Sequence, residues 1–197
     1  SLIPVEMDGL LGAQKNLGYS SMVSAAIRLH DQCIHVGQAA AALAAVALKE
    51  KVDPRQIPMD RERLEEVRHS LCGGTWGRPL LLWPWRDLSP DEDAFVAVNR
   101  LSALGCLPIE SEAVDFLPDE VATPGWKEEV MRLTAIEFPG AASLTVPESE
   151  TETRGGFCRS WWEAIQSADL SPRPFPTVAE NDADGDGILN VDDALIF

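Results

Sequence analysis

The chain has 197 residues and a formal net charge of -16, with 16 Lys and Arg against 32 Asp and Glu. This balance argues against nucleic acid as a partner, because duplex binding relies on cationic side chains that displace counterions from phosphates. Hydrophobic residues make up 45% of the chain, which is enough for a buried core and argues against wholesale disorder.

The negative charge belongs almost entirely to the second part of the chain. Residues 1–75 carry 8 basic and 9 acidic side chains, whereas residues 76–197 carry 8 and 23. No apolar run approaches the roughly 20 residues that span a bilayer, and no signal peptide is recognisable at Ser1. The change in composition predicts three parts: residues 1–75, residues 76–170 and residues 171–197.

The first part contains two predicted helices and one ambiguous stretch. Residues 22–29 are apolar and fit either a helix or a strand. Residues 36–51 are predicted to form an Ala-rich helix, with Gly37 at a start that exposes free N–H groups and the positive end of the helix dipole. Residues 60–71 form a second helix, because Asp60 is a suitable N-cap and Gly73 can terminate it.

Three further helices are predicted after a Gly- and Pro-rich break at residues 73–79. Ser89-Pro90 starts the first, which Gly105 ends, and Thr123-Pro124 starts the second. The third begins at about Thr153 and is predicted to bury Phe157, Trp161 and Ile165, which recur at spacings of four. Prolines then indicate a stiff extended linker at positions 172, 174 and 176. The fold class predicted is mainly α, with an α+β contribution.

One group of residues in the first part carries a family resemblance. It comprises Asn16-Leu17-Gly18, Arg28, Cys33 and Gly37-Gln38-Ala39-Ala40. Over about residues 1–72 this pattern resembles the carboxy-terminal end of bacterial FAD-dependent oxidoreductases of the glutathione-reductase-like superfamily. In that family an Arg, a Cys-containing strand and a helix start return to the flavin. The helix N-terminus faces the pyrimidine end of the isoalloxazine, where it stabilises the negative charge of the reduced ring.

The resemblance implies that Gly37, Gln38 and Ala39 are flavin neighbours, with Arg28 and Asn16 as further candidates. The chain departs from the family at Ala41, where Gly is usual. It has no G-x-G-x-x-G, so the adenine and pyrophosphate half of an FAD site is missing. The resemblance therefore implies the tail of a larger flavoenzyme. The alternative is an ordinary Ala-rich packing helix.

A second resemblance lies in residues 85–123. The pattern consists of Trp85-Arg86-Asp87-Leu88, the helix ending at Gly105, Phe116-Leu117-Pro118 and Thr123. This pattern resembles an S-layer-homology repeat. A degenerate second copy is indicated by residues 144–147 and 153–157. The resemblance implies a helical module, whereas binding of an anionic cell-wall polymer does not fit so acidic a surface. For the tryptophans at positions 83, 85, 161 and 162, core packing is favoured over carbohydrate stacking.

The carboxy-terminal segment has the spacing of a calcium loop. Residues 182–193 resemble the loops of dockerins and EF-hands, with Gly187 permitting the tight turn. The predicted oxygen ligands are Asp182, Asp184, Asp186, the Ile188 carbonyl, Asn190 and Asp193. A single loop favours a structural calcium clip, or the first unit of an acidic repeat, over a cohesin-binding module.

Other chemistry is sparse. The four cysteines, at positions 33, 72, 106 and 158, have no C-x-x-C spacing, which disfavours a zinc or iron–sulfur site. Three disulfide pairings, or four buried thiols, remain open. No catalytic residue is assigned.

Two functional hypotheses follow. The first is the carboxy-terminal portion of a secreted, periplasmic or cell-surface FAD-dependent oxidoreductase. It would complete the flavin site together with the remainder of the enzyme or a partner subunit, and it would carry a calcium-binding appendage. The second is a non-enzymatic protein of cell-surface anchoring or assembly, with S-layer-homology-like and dockerin-like modules.

Overall fold

The computed structural model describes residues 2–4, 7–75, 77–109, 112–145 and 152–175. The helices in these ranges are α1 (Ser21–Ile27), α2 (His30–Glu50), α3 (Arg61–Cys72), α4 (Phe95–Ala103), α5 (Pro124–Glu137) and α6 (Arg154–Ser167). Two 3₁₀ helices, Pro54–Met59 and Pro139–Ser143, follow α2 and α5. Within the described ranges there is no β-sheet, only an isolated antiparallel bridge between Val121 and Thr153. The prediction of a mainly α-helical chain is confirmed.

Three helices begin at the caps that the sequence predicts. The side chains of Asp60, Thr123 and Thr153 each accept a hydrogen bond from the backbone amide three residues ahead, at 3.1, 3.3 and 3.1 Å. Each bond satisfies an N–H group that has no partner inside its helix. The starts of α3, α5 and α6 are therefore fixed by local chemistry.

The start of α4 is later than the sequence predicts. The capping bonds of the Ser89 motif do form, since the Ser89 amide donates to Glu92 Oε1 at 2.8 Å. The chain then passes through turns, and α4 begins only at Phe95, whose amide donates to the Glu92 carbonyl at 2.9 Å. The motif thus closes a turn instead of opening the helix. Gly105 ends the helix as predicted, with a φ of +71° that favours glycine.

The ambiguous apolar stretch at residues 22–29 is mostly helical. Helix α1 covers Ser21–Ile27, and the Ser20 hydroxyl caps it by accepting a bond from the Val23 amide at 3.4 Å. None of its residues is buried, and Met22 is 85% exposed. A seven-residue helix without buried side chains gains little from tertiary packing.

Two hydrophobic cores organise the described residues. The smaller core lies between α2, the first 3₁₀ helix and α3, and consists of Ala42, Leu43, Val46, Ala47, Ile57 and Val67. The larger core is built mainly from α4, α5 and α6, and its largest fully buried side chains are Trp161, Phe95, Leu101 and Ile165. The aromatic residues predicted on one face of α6 all belong to it.

Helix α3 takes part in both cores. Val67 belongs to the smaller core, and Cys72, at the end of the same helix, belongs to the larger one. The chain reverses after α3 at Gly74, where a Cβ atom would lie 2.8 Å from Pro79 Cγ and where φ is +68°. A side chain at Gly74 would be strained on both counts.

Candidate functional site

The residues predicted to meet a flavin lie inside a helix. Helix α2 begins at His30, so Gly37 is seven residues into the helix instead of at its start. No helix-breaking residue separates His30 from Gly37, and the Cys33 amide already donates to the Leu29 carbonyl at 3.0 Å. The prediction of a helix start at Gly37 is wrong. Cys33 lies in the same helix, whereas the corresponding Cys of the family lies in a strand.

This position changes what Gly37 and its neighbours can do. Amides in the interior of an α-helix donate to the carbonyl four residues earlier, so only the first turn has free N–H groups. Gly37, Gln38 and Ala39 therefore present no free helix terminus to an anionic ring. In this arrangement the three residues do not fit the flavin contact that the family resemblance implies.

The loop that contains Asn16 lies close to Gly37. A Cβ atom on Gly37 would be 3.2 Å from the Ala13 carbonyl oxygen, which shows how closely the loop approaches α2. Asn16 Oδ1 accepts a bond from the Gln14 amide at 3.1 Å, and Asn16 lines a cavity of about 370 Å³ beside residues 2–4. The structure thus brings the Asn16 loop to Gly37. Arg28 lies exposed at the end of α1.

Gln38 faces the contact between α2 and α3. With Ala41, Ala42 and Ala45 it lines a cleft of about 160 Å³ against the end of α3. Its Oε1 atom is buried and has no hydrogen-bond partner among the described residues. The small side chains bring the two helices close together, and Val46 fills the contact with 0% exposure. Packing against α3 is the role that the structure shows for the alanines.

A buried ionic cluster between α3 and α4 was not predicted from the sequence. The side chains of Glu65 and Arg100 are 9% and 4% exposed, and Arg100 Nη2 lies 2.6 Å from Glu65 Oε2. Burial lowers the pKa of Arg100, and the charge of Glu65 opposes that shift. The available signal was the position of Arg100 in the middle of the otherwise mostly apolar helix Phe95–Ala103.

The motif at residues 85–88 has a structural role. The carboxylate of Asp87 accepts bonds from the amides of Phe116 and Leu117, at 2.8 and 2.7 Å. Leu117 has a φ of +61°, and these bonds help to hold it in that unfavourable region. Trp85 is buried and donates to Ser102 Oγ at 2.9 Å. The motif therefore ties the segment before α4 to the segment before α5.

The four tryptophans at positions 83, 85, 161 and 162 pack in or against the core, which is the role favoured from the sequence. Trp85, Trp161 and Trp162 are buried in the larger core, and Trp83 packs against it while partly buried. Their ring faces meet other aromatic rings, such as Phe157, which stacks on Trp161 at 6.3 Å between centroids. Burial leaves Trp85, Trp161 and Trp162 unsuited to stacking on a carbohydrate.

All four cysteines are buried free thiols, so of the open alternatives the structure shows unpaired cysteines. Burial raises the pKa of Cys72 to about 11 and that of Cys106 to about 12, and it also raises the pKa of Cys158. Because the thiolate is the reactive form, these three should resist alkylation at neutral pH in the folded protein.

We expect intact-mass measurements to show slow labelling of the cysteines by iodoacetamide before denaturation and four labels after it. Rapid stoichiometric labelling of Cys72 in the folded chain would contradict this prediction.

The predicted calcium ligands lie outside the described residues. All six positions, Asp182, Asp184, Asp186, Ile188, Asn190 and Asp193, fall after residue 175. Among the residues that the structure does describe, no group of three or more His, Cys, Asp or Glu side chains is placed to hold a metal ion. In the same ranges, no helix has the length and apolar character needed to cross a membrane.

A comparison with protein families matches residues 1–71 to the family described as FAD dependent oxidoreductase. The matched segment contains α1, α2 and nearly all of α3. No curated protein and no solved structure matches the chain. The match supports a flavoenzyme-related function for the amino-terminal 71 residues and FAD as the related cofactor.

Proposed function

We propose that the chain is the carboxy-terminal portion of a secreted or cell-surface FAD-dependent oxidoreductase, in which α2 and α3 complete the flavin domain. The observation that carries the proposal is the family match over residues 1–71. The reaction is hydride transfer from an organic substrate to the flavin, since carrying hydride is the chemistry that a flavin supplies when bound. The acidic second part, with its calcium-loop spacing, supports an extracellular setting.

The remainder of the enzyme, or a partner subunit, must hold most of the cofactor. The chain has no G-x-G-x-x-G sequence, the motif that brings a pyrophosphate to a helix N-terminus. What this chain contributes is a closely packed pair of helices. Val46 and Val67 are 0% and 5% exposed in the core between α2 and α3. The loop at Ala13 covers one side of that pair at Gly37.

Native purification tests this proposal. The protein is isolated from its source under non-denaturing conditions, peptides from residues 1–71 are followed by mass spectrometry, and the visible absorption spectrum is recorded. We expect the absorption of an oxidised flavin to copurify with those peptides, and denaturation to release FAD. A native assembly that contains the peptides without flavin would refute the proposal.

Calcium binding at residues 182–193 is a second part of the proposal. The support is the spacing of five oxygen-bearing side chains, at Asp182, Asp184, Asp186, Asn190 and Asp193, around a loop that also contains Gly187. Calcium prefers six to eight oxygen ligands, so removing a central carboxylate should abolish binding. We expect titration calorimetry to detect one calcium site in the wild type and none in Asp184→Ala. Asp119→Ala, an acidic residue outside the loop, is the matched control, and identical traces for all three proteins would eliminate the site.

The calcium-loop spacing also supports the second candidate function, a non-enzymatic protein of cell-surface anchoring or assembly. In that case residues 76–170 act as an S-layer-homology-like helical module and the loop as a dockerin-like unit. The two candidates differ in one observable property. The anchoring protein retains calcium binding but contains no flavin in its native assembly, whereas the oxidoreductase contains both.

A further inference from the structure

One buried carboxylate joins the flavoenzyme-related segment to the helices that follow it. Glu65 lies on α3, and Arg100 on α4 contacts it twice. Arg100 Nη2 pairs with Glu65 Oε2 at 2.6 Å, and Arg100 Nη1 donates to the backbone carbonyl oxygen of Glu65 at 2.7 Å. The arginine thus holds both the side chain and the backbone of α3.

Neighbouring residues extend this contact to α5 and α6. Arg61, one turn before Glu65, pairs with Glu137 at the end of α5. The Arg100 guanidinium also lies over the ring of Trp162 on α6, 5.3 Å from its centroid. Helix α3 is therefore attached directly to α4 and α5, and through Arg100 of α4 to α6.

The chain after α6 returns to the same helix. Ser171 Oγ donates to Glu62 Oε1 at 2.7 Å, and the Arg173 amide donates to the Glu137 carbonyl at 2.7 Å. The Arg61 guanidinium lies over the ring of Phe175 at 4.6 Å. The prolines of this stretch predict the beginning of a linker, whereas residues 171–175 are bound along α3 and the end of α5.

The opposite side of α3 supports α2. Val67 is 5% exposed and packs in the smaller core with Leu43 and Val46 of α2. Arg100 belongs to α4, whereas the main packing partners of α2 are α3 and the first 3₁₀ helix. Any effect of Arg100 on α2 must therefore pass through α3.

We propose that the Glu65–Arg100 pair couples the folding of α2 to that of α4–α6, so that the carboxy-terminal helices stabilise the flavoenzyme-related segment through α3. A shift of α3 against α4 inside the closed structure would pull the pair apart and leave both charges buried without partners, which is strongly destabilising. The two helices are therefore expected to open together. Opening of the α2–α3 pair is thereby tied to opening of the larger core. This coupling is independent of whether the native assembly contains flavin.

Native-state hydrogen exchange on the whole chain tests the coupling, because it reports the opening of each helix separately. The variant Arg100→Met removes the pair and keeps an apolar stem of similar length. We expect exchange at the amides of Ala42 to Ala47 on α2 to accelerate about tenfold or more, equivalent to about 1.4 kcal/mol of opening free energy. Arg132→Met is the matched control. It breaks an exposed ion pair with Glu129 on α5, and it should leave α2 exchange unchanged.

Two outcomes would overturn the proposal. One is faster exchange in α4 together with wild-type exchange in α2, which would show that the two parts open independently. The other is an equal effect of Arg132→Met on α2. If Arg100→Met does not fold, Arg100→Lys keeps the charge but loses the double contact, and the same comparison between α4 and α2 then decides the matter.

Discussion

Trp161→Ala is expected to lower the free energy of unfolding by about 3–5 kcal/mol, the range typical of a large aromatic side chain removed from a core. Trp161 is 1% exposed, stacks on Phe157 and donates its indole N–H to Thr134 Oγ1 at 3.0 Å. The substitution removes the buried ring and leaves a cavity that the surrounding helices can fill only in part. Urea unfolding followed by circular dichroism measures the loss.

Two further variants serve as comparisons for Trp161→Ala. Ile136→Ala removes an apolar side chain that is 50% exposed on α5, and it should change the stability by about 0.5 kcal/mol or less. Thr134→Val leaves the Trp161 N–H without its acceptor and should cost about 1–3 kcal/mol. If Trp161→Ala costs no more than Ile136→Ala, the ring does not occupy the centre of the larger core.

Glu65→Ala is expected to destabilise the protein by about 3–5 kcal/mol, because it leaves Arg100 buried without a counter-charge. Glu65 also pairs with Arg68 Nη1 at 2.6 Å and lies 3.5 Å from Arg61 Nε, so one substitution removes a counter-charge from three arginines. Arg68 is partly exposed and can turn toward water, whereas Arg100 is 4% exposed and cannot do so without moving α4. The expected loss thus arises mainly from Arg100, and chemical unfolding at neutral pH measures it.

Replacing both partners provides the control. In Glu65→Leu combined with Arg100→Met, no buried charge is left without a partner, because Arg61 keeps Glu137 and Arg68 can turn toward water. Most of the lost stability should return, because apolar replacements of buried ion pairs are often neutral or stabilising. Glu129→Ala, which breaks the exposed pair with Arg132, should cost less than about 1 kcal/mol. A double variant that is less stable than Glu65→Ala would contradict the assignment of the cost to an unpaired charge.

The predicted flavin contact at Gly37 shows that a sequence motif alone does not establish a cofactor-binding helix start. The residues around Gly37 match a family whose members use the start of a helix, and the family comparison independently matches residues 1–71. The same residues in this chain continue an already formed helix, because the segment from His30 contains no residue that ends or starts one. Gly37 has no free amide to offer a flavin because residues 30–36 already form the first two turns of the same helix.

Local patterns by themselves determined much of the helical framework. Asp60, Thr123 and Thr153 cap their helices through bonds to amides three residues away, so nearby sequence alone decides these starts. Gly105 ends α4 because of its own backbone freedom. The apolar spacing on α6 likewise predicted the buried positions of Phe157, Trp161 and Ile165.

Only the tertiary structure decided how these helices are joined. Glu65 and Arg100 are 35 residues apart, and nothing in their spacing indicates that they meet. The attachment of residues 171–175 to α3 is of the same kind. Each depends on the free energy of burying groups that are distant in sequence, which a local pattern does not contain. The sequence alone shows that the acidic net charge belongs to the second part of the chain. Only the structure shows that a buried pair of opposite charges, Glu65 and Arg100, holds that part to the first.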